Sequence, residues 1–195
     1  MQYYRFFREL KDRLPRHTVT SAEVAKALHI HPTQVRKDFA AIGLVGMGRL
    51  GFYVEEICCA IRRVLRFDQN CEAVLVGTGH LGNLSFAYNG FARYGLYIVA
   101  AFNNGRHRNG RTFAGYTIQP LNALEPFIRE HEIRLAILAP PTEASAELVD
   151  RLVSAGVQAI WNFTPTYLTG PPGILVRNEQ HFSIGLSEIL YHLNR

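Results

Sequence analysis

The chain has 195 residues, 48% of them apolar and 19% charged, which is typical of a folded protein with one large or two small domains. It contains no apolar run near the roughly 20 residues of a membrane span and no signal-peptide layout, so we expect a cytoplasmic protein. An odd number of cysteines argues against a disulfide framework, and the histidines lack the spacing of a metal site.

The net charge of +5 is unevenly distributed along the chain. Residues 1–67 carry twelve Arg or Lys against six Asp or Glu, whereas residues 68–195 carry nine against ten. The basic excess of the first third favours a polyanionic partner for that third alone. A solvated basic surface is the alternative, and charge by itself does not decide between the two.

Three helices are predicted within the first 41 residues. Apolar residues at helical spacing from Tyr3 to Leu14 predict an amphipathic helix that Pro15 ends. Thr20 and Glu23 have the spacing of a capping box, which predicts a second, short helix. A third helix is predicted to begin near Pro32, at a first-turn position that needs no N–H.

This third helix has the features of a recognition helix. Val35 and Phe39 are four residues apart and are predicted to face the core, which leaves the neighbouring polar residues exposed. In a helix-turn-helix protein the second helix lies in the major groove, where Gln and Arg bond purines and Lys or Thr hold phosphate. An exposed polar helix face without a partner is the alternative. The predicted DNA-binding residues are Ser21, Thr33, Gln34, Arg36, Lys37 and Arg49.

Residues 43–53 contain four glycines within nine positions but are too apolar for a flexible linker. We predict a two-stranded wing with Arg49 near its tip, able to lie along a minor groove. A further helix is predicted from Val54 to Leu65, with Cys58 on its apolar stripe. Packing is therefore the favoured role for Cys58 over a thiol switch, and the sequence assigns no role to Cys59 or Cys71.

A glycine motif follows in the second part of the chain. The apolar run Ala73–Val76 leads directly into a G-x-G-x-x-G at residues 77–82, and a second apolar run, Leu96–Phe102, lies one helix length further on. This pattern predicts a Rossmann-type βαβ unit whose backbone N–H groups bind a pyrophosphate. A strand–helix turn that uses glycine for packing and binds nothing is the alternative.

Asn103 lies about where a dinucleotide site places the acidic residue that binds the ribose diol. A neutral amide is a weaker acceptor than a carboxylate, so the affinity for NAD or NADH is expected to be reduced. Arg106 and Arg108 follow closely, and an arginine in this region can accommodate the 2′-phosphate of NADP. A solvated loop is the alternative role for both arginines.

Two further strands are predicted, over residues 133–139 and 157–163, with a helix over 143–155 between them and a short strand at 174–176. Ligands of open α/β sheets bind at the carboxyl ends of the strands. The predicted cofactor-binding residues are therefore Gly77, Thr78, Gly79, His80, Leu81, Gly82, Asn103, Pro140, Phe163, Thr164 and Pro165.

The predicted fold class is α/β, with three segments. Residues 1–68 form a winged helix-turn-helix domain, residues 69–177 a Rossmann-type parallel-sheet domain, and residues 178–195 a C-terminal dimerisation helix. That helix is apolar on one face, so it either completes its own domain or docks on a second subunit.

Nearly the whole chain resembles one family, the Rex redox-sensing transcriptional repressors of bacteria. The matching stretches are Val19–Ala25, Gln34–Asp38, the glycine-rich wing with Tyr53–Glu56, Val76–Gly82, Tyr88–Phe91, Val99–Phe102, Ala136–Pro140 and Asn162–Pro165. The resemblance implies a homodimer with exchanged C-terminal helices that represses genes at palindromic operators in double-stranded DNA. It also implies that NADH causes release from DNA, whereas NAD permits binding.

The chain departs from that family at three places. Relatives usually carry Asp at position 103, and an Asp near residues 180–182, where this chain has Gln-His-Phe; the wing is also less basic here. A Rex-like dimer with altered or lost dinucleotide sensing is therefore one alternative. An NAD(P)-dependent oxidoreductase is another, although no His or Lys has a clear claim to proton transfer beside a nicotinamide.

Overall fold

The computed structural model describes residues 2–13, 17–77, 91–104, 110, 112–113, 116–139 and 145–179. The chain divides into two compact units, Met1–Gln69 and Asn70–Arg195. No helix within the described ranges is long and apolar enough to cross a membrane.

The first unit is mainly helical. Its elements are α1 (Gln2–Arg13), β1 (Thr18–Val19), α2 (Ser21–Leu28), α3 (Pro32–Ala41), β2 (Phe52–Tyr53) and α4 (Val54–Val64). Fully buried aromatic and aliphatic side chains from all four helices form its core, among them Phe7, Val24, Val35, Phe39 and Ile57. Each such burial stabilises the fold by about 1.5–3 kcal/mol.

Local sequence determines where α2 and α3 begin and end. The Thr20 side chain accepts from the Glu23 N–H while the Glu23 side chain accepts from the Thr20 N–H, which confirms the predicted capping box. His29 ends α2 in the left-handed region with φ 53°, and His31 caps α3 by accepting from the Thr33 N–H at 3.2 Å. The helix–turn–helix arrangement is therefore as predicted.

The wing differs from the prediction of two strands within residues 43–53. Its second strand, β2, pairs antiparallel with β1, so the partner lies outside the predicted segment. Residues Gly48–Leu50 form a 3₁₀ turn. Gly51 makes the pairing possible, because a Cβ there would lie 2.1 Å from the carbonyl oxygen of Val19.

The second unit contains a sheet of strand order β5-β6-β4-β3-β7-β8-β9, which is parallel except for the antiparallel pair of β5 with β6. The strands are β3 (Cys71–Val76), β4 (Leu96–Asn103), β5 (Thr112–Phe113), β6 (Tyr116–Pro120), β7 (Leu135–Leu138), β8 (Ala159–Asn162) and β9 (Leu175–Asn178). The described residues of this unit also form two α-helices, α5 (Leu124–Glu130) and α6 (Ala146–Ala155).

The central strands are buried on both faces. Val74 and Val76 belong to the cluster that includes residues of α5 and α6, whereas Ala73 and Leu75 belong to a second cluster with Ile137. This two-sided burial explains why β3 is a continuous apolar run rather than an alternating one. The predicted strands at 73–76, 96–102, 133–139 and 157–163 are all present with small changes at their ends, and α6 confirms the described part of the helix predicted over 143–155.

Three elements between residues 104 and 132 were not predicted, namely β5, β6 and α5. The crossover helix predicted over Leu81–Arg93 falls mostly on residues outside the described ranges, and at its end Ala92–Tyr94 forms a 3₁₀ turn. The C-terminal helix is predicted over residues 178–195, but Asn178 is the last residue of β9, so the boundary at 178 is wrong. Residues 180–195 lie outside the described residues, as do Arg106 and Arg108.

Candidate functional site

The exposed face of α3 carries the polar residues that the sequence analysis selected. Thr33, Gln34, Arg36 and Lys37 are exposed, whereas Val35 and Phe39 are buried in the core. Pro32 occupies the first turn, where the missing N–H leaves no helical hydrogen bond unmade. The result is a polar and basic surface on a rigid helix.

Arg36 bonds two other predicted DNA-binding residues. Its Nη1 donates to the Ser21 hydroxyl at 3.4 Å, and its Nη2 donates to the Thr33 hydroxyl at 3.2 Å. Ser21 is the first residue of α2 and Thr33 lies in the first turn of α3. The guanidinium therefore bridges the starts of the two helices.

Gln34 bonds a residue to which the sequence analysis assigned no role. Its Nε2 donates to Asp38 Oδ1 at 2.6 Å, and Tyr3 of α1 donates its phenolic O–H to Asp38 Oδ2 at 2.7 Å. The Gln34–Asp38 contact could have been predicted from the sequence, because side chains four residues apart are neighbours on a helix. The Tyr3–Asp38 hydrogen bond depends on how α1 packs against α3, so no pattern of neighbouring residues predicts it.

Arg49 lies in the 3₁₀ turn of the wing loop and is exposed. Its neighbours Val45 and Leu50 are exposed to 83% and 63%, which is high for apolar side chains. A cation flanked by apolar groups on a projecting loop suits contact with the sugar-phosphate edge of a minor groove.

The second candidate site is the carboxyl edge of the parallel sheet. Gly77 follows β3 with φ +97°, in the region that favours glycine, and its N–H donates to the Phe102 carbonyl at 2.8 Å. Strand order reverses between β3 and β7, which makes this edge the topological switch point where doubly wound sheets bind ligands. Thr78, Gly79, His80, Leu81, Gly82 and Pro140 lie outside the described residues.

Asn103 is the last residue of β4, on the strand adjacent to β3. Its side chain is 8% exposed, so the position is nearly enclosed although it carries a polar group. The structure therefore places a neutral amide at the end of the second Rossmann strand, at the position where a carboxylate commonly binds a ribose diol.

Asn162 organises the loop that contains the remaining predicted residues. Its Oδ1 accepts from both the N–H (3.0 Å) and the hydroxyl (2.7 Å) of Thr164, and its Nδ2 donates to the Thr166 carbonyl and to Asn178. Thr164 is buried, Phe163 is half-buried and Pro165 is exposed. Asn162 is thus a structural anchor whose importance the sequence pattern did not reveal.

Two further features concern the cysteines and the possible metal ligands. Burial raises the pKa of the Cys58 and Cys71 thiols, so neither is an activated thiolate, and all three cysteines are free. The described residues contain no group of three His, Cys, Asp or Glu side chains that could hold a metal ion.

The fold and the two sites define a class: a winged helix-turn-helix DNA-binding unit followed by a Rossmann-type unit. Family models match both parts, one described as “CoA binding domain” over residues 68–166 and one as “Putative DNA-binding protein N-terminus” over residues 1–40.

Curated relatives and solved structures extend the match to almost the whole chain. The redox-sensing transcriptional repressor Rex of Carboxydothermus hydrogenoformans is 34% identical over 91% of this chain and 85% of its own length, and that of Brevibacillus brevis is 35% identical over 90% and 84%. The crystal structure of RSP with β-NAD+ and operator DNA has a TM-score of 0.86 at 28% identity, covering 98% of this chain and 88% of RSP. RSP with β-NADH has a TM-score of 0.82.

The chain belongs to the Rex family of redox-sensing transcriptional repressors. The family and the fold class inferred from its sequence are thereby confirmed. It is a DNA-binding repressor and not an enzyme, so the oxidoreductase alternative is set aside.

Proposed function

We propose that this repressor binds a palindromic operator as a homodimer through α3 and the wing, and that NADH bound at the sheet edge releases it. The observation that supports this most directly is the exposed row Thr33, Gln34, Arg36 and Lys37 on a capped, well-anchored α3. RSP, its relative, has been crystallised with operator DNA and NAD+ and separately with NADH.

In the DNA complex we assign Gln34 and Arg36 to base edges in the major groove. Ser21, Thr33 and Lys37 would contact phosphate, and Arg49 would enter the minor groove. Because Arg36 already bonds the Ser21 and Thr33 hydroxyls, it has an ordered starting position, which lowers the entropy lost on binding.

In the dinucleotide complex we assign Gly77–Gly82 to the pyrophosphate, Asn103 to the adenosine ribose, and Pro140, Phe163, Thr164 and Pro165 to the nicotinamide end. The positive φ of Gly77 and its place at the switch point fit such a ligand. Both donors of Thr164 bond Asn162, so the Thr164 hydroxyl oxygen is left to accept a bond from the ligand. The nicotinamide supplies the redox signal, and the chain only binds it.

A repressor with altered ligand preference is the second candidate, and it rests on Asn103. A neutral amide binds the ribose diol more weakly than a carboxylate and does not repel a 2′-phosphate, so NADP or NADPH becomes an acceptable ligand. We also propose that residues 1–68 form the DNA-binding domain and that the dinucleotide-binding domain begins at residue 69. Because Asn178 belongs to β9, the proposed exchanged dimerisation helix begins after residue 179 and not at residue 178. We further propose a cytoplasmic location, where chromosomal operators are accessible.

Fluorescence anisotropy with a labelled palindromic duplex tests the proposal. We expect the full-length protein to bind the duplex with NAD+ present and to lose affinity as NADH is added. Arg36→Ala and Lys37→Ala should weaken binding, whereas Lys26→Ala, which removes an exposed cation of α2, serves as the matched control. Equal duplex affinity with NAD+, with NADH and without a dinucleotide would refute NADH sensing, although a constitutive repressor would remain.

A further inference from the structure

Tyr3, Asp38 and Gln34 form a hydrogen-bonded chain that leads from the core of the first unit to the exposed face of α3. Tyr3 Oη donates to Asp38 Oδ2 at 2.7 Å, and Gln34 Nε2 donates to Asp38 Oδ1 at 2.6 Å. Each oxygen of the half-buried carboxylate therefore accepts one of these bonds, so rotation of Asp38 would break both.

The inner end of this chain is held by aromatic packing. The Tyr3 ring lies 6.4 Å from the Phe7 ring and 5.7 Å from the Phe39 ring, and both phenylalanines are buried. Burial, together with the bond to Asp38, raises the pKa of Tyr3 well above its ordinary value. The phenol thus keeps its proton and remains a donor to Asp38 throughout the neutral range.

The outer end presents a defined edge of the Gln34 amide. A carboxylate accepts hydrogen bonds but cannot donate them, so the amide must turn its NH₂ group toward Asp38. One N–H is used there, which leaves the carbonyl oxygen and the second N–H of this exposed side chain. A carbonyl beside an N–H is the pair that bonds N6 and N7 of adenine in the major groove.

We propose that Asp38 is a positioning residue that fixes the orientation of the Gln34 amide and thereby makes this protein select adenine at one position of each operator half-site. The proposal rests on the proposed function, in which α3 lies in the major groove. Without the carboxylate, the N–H that bonds Asp38 is released, and the amide can turn its whole NH₂ group toward the base. Its two N–H groups could then donate to N7 and O6 of guanine, which would compete with adenine.

Selection from a duplex library with randomised half-sites tests the role of Asp38 in the full-length protein. The wild-type protein is expected to select adenine at one position per half-site, and Asp38→Asn to reduce that preference by about ten-fold. Affinity for random duplexes should stay equal or rise, because the substitution removes a negative charge near the phosphates. Tyr3→Phe should cause a smaller loss at the same position, since it frees one oxygen of Asp38.

Two further variants separate positioning from a general structural effect. Asp38→Asn should change nothing at that position in a Gln34→Ala background, because the group it orients is gone. Lys37→Gln should instead weaken all sequences about equally, as expected for a phosphate contact. Circular dichroism melting of each variant shows whether the first unit remains folded.

The outcomes distinguish failure of the positioning role from failure of the repressor function. Base preferences of Asp38→Asn equal to those of the wild type, in a protein that binds DNA, would overturn the positioning role but leave the repressor function intact. A change that persists in the Gln34→Ala background would overturn it as well. Failure of the wild-type protein to bind any duplex would instead contradict the proposed function, and the positioning role with it.

Discussion

Gly51 and Gly43 have almost the same backbone dihedral, with φ +79° and +78°, but different surroundings. A Cβ at Gly51 would meet the Val19 carbonyl, whereas a Cβ at Gly43 has nothing within 4 Å. At the residue scale this pair separates two reasons for glycine: a positive φ, which both positions have, and close approach of two chain segments, which only Gly51 has.

We expect Gly43→Ala to cost about 1–2 kcal/mol of unfolding free energy, the strain of a positive φ. Gly51→Ala should cost clearly more, because β1 and β2 must separate to admit the methyl group. Urea denaturation followed by far-ultraviolet circular dichroism measures both. Equal losses for the two variants would show that close approach contributes nothing.

The residue at position 103 is predicted to set the preference between NADH and NADPH. In Asn103→Asp the new carboxylate can accept two charge-assisted hydrogen bonds from a ribose diol and repels a 2′-phosphate, so NADH affinity should rise about ten-fold relative to NADPH affinity. Calorimetric titration of each dinucleotide gives the ratio. Asn104→Asp is the matched control, because it adds the same charge at the next, exposed residue. If both variants shift the ratio equally, Asn103 does not face the ribose.

At the scale of elements, short polar contacts hold neighbouring helices in place. Arg151 of α6 donates to Glu125 of α5, and this bond lowers the pKa of the Glu125 carboxyl. Because the folded pKa is lowered, the stabilisation is complete above the ordinary carboxyl value and is lost as the pH falls through the lowered one. The Arg151 and Glu125 side chains are 35% and 19% exposed, so the pair contributes only about 0.5–1 kcal/mol.

Glu125→Gln is therefore expected to destabilise the second unit at neutral pH, and the difference from the wild type should shrink below about pH 4. Fluorescence of Trp161, the single tryptophan and a residue of β8 in that unit, reports the transition. Glu130→Gln, which removes a charge from the exposed end of α5, is the control. A difference that stays constant between neutral pH and pH 3 would contradict the ion-pair account.

At the scale of the whole molecule, the proposed switch is a coupling between dinucleotide and operator. Binding free energies are reciprocal: if NADH weakens operator binding by some factor, the operator must weaken NADH binding by the same factor, typically about 5- to 150-fold. We therefore expect NADH titrations with and without a palindromic duplex to differ by the factor seen in the DNA experiment. A scrambled duplex should produce little of this effect. Unequal factors would mean that the two ligands do not act through one equilibrium.

The sequence by itself determined the elements whose signals are local. A capping box sets the start of α2, Pro32 sets the start of α3, and continuous apolar runs mark the buried parallel strands. Such features depend on residues within a few positions of each other, so they do not require contacts with distant parts of the chain. The resemblance to Rex followed from the order of these local signals.

Only the tertiary structure decided which distant segments meet. The partner of β2 is β1, more than thirty residues earlier, and Tyr3 of α1 reaches Asp38 of α3. Strands β5 and β6 are short and, like the Asn162 network, are specified by neighbours rather than by a periodic pattern. Local patterns fix backbone conformation, but pairing depends on the free energy of packing segments that are remote in sequence, and that is settled only when the chain is folded.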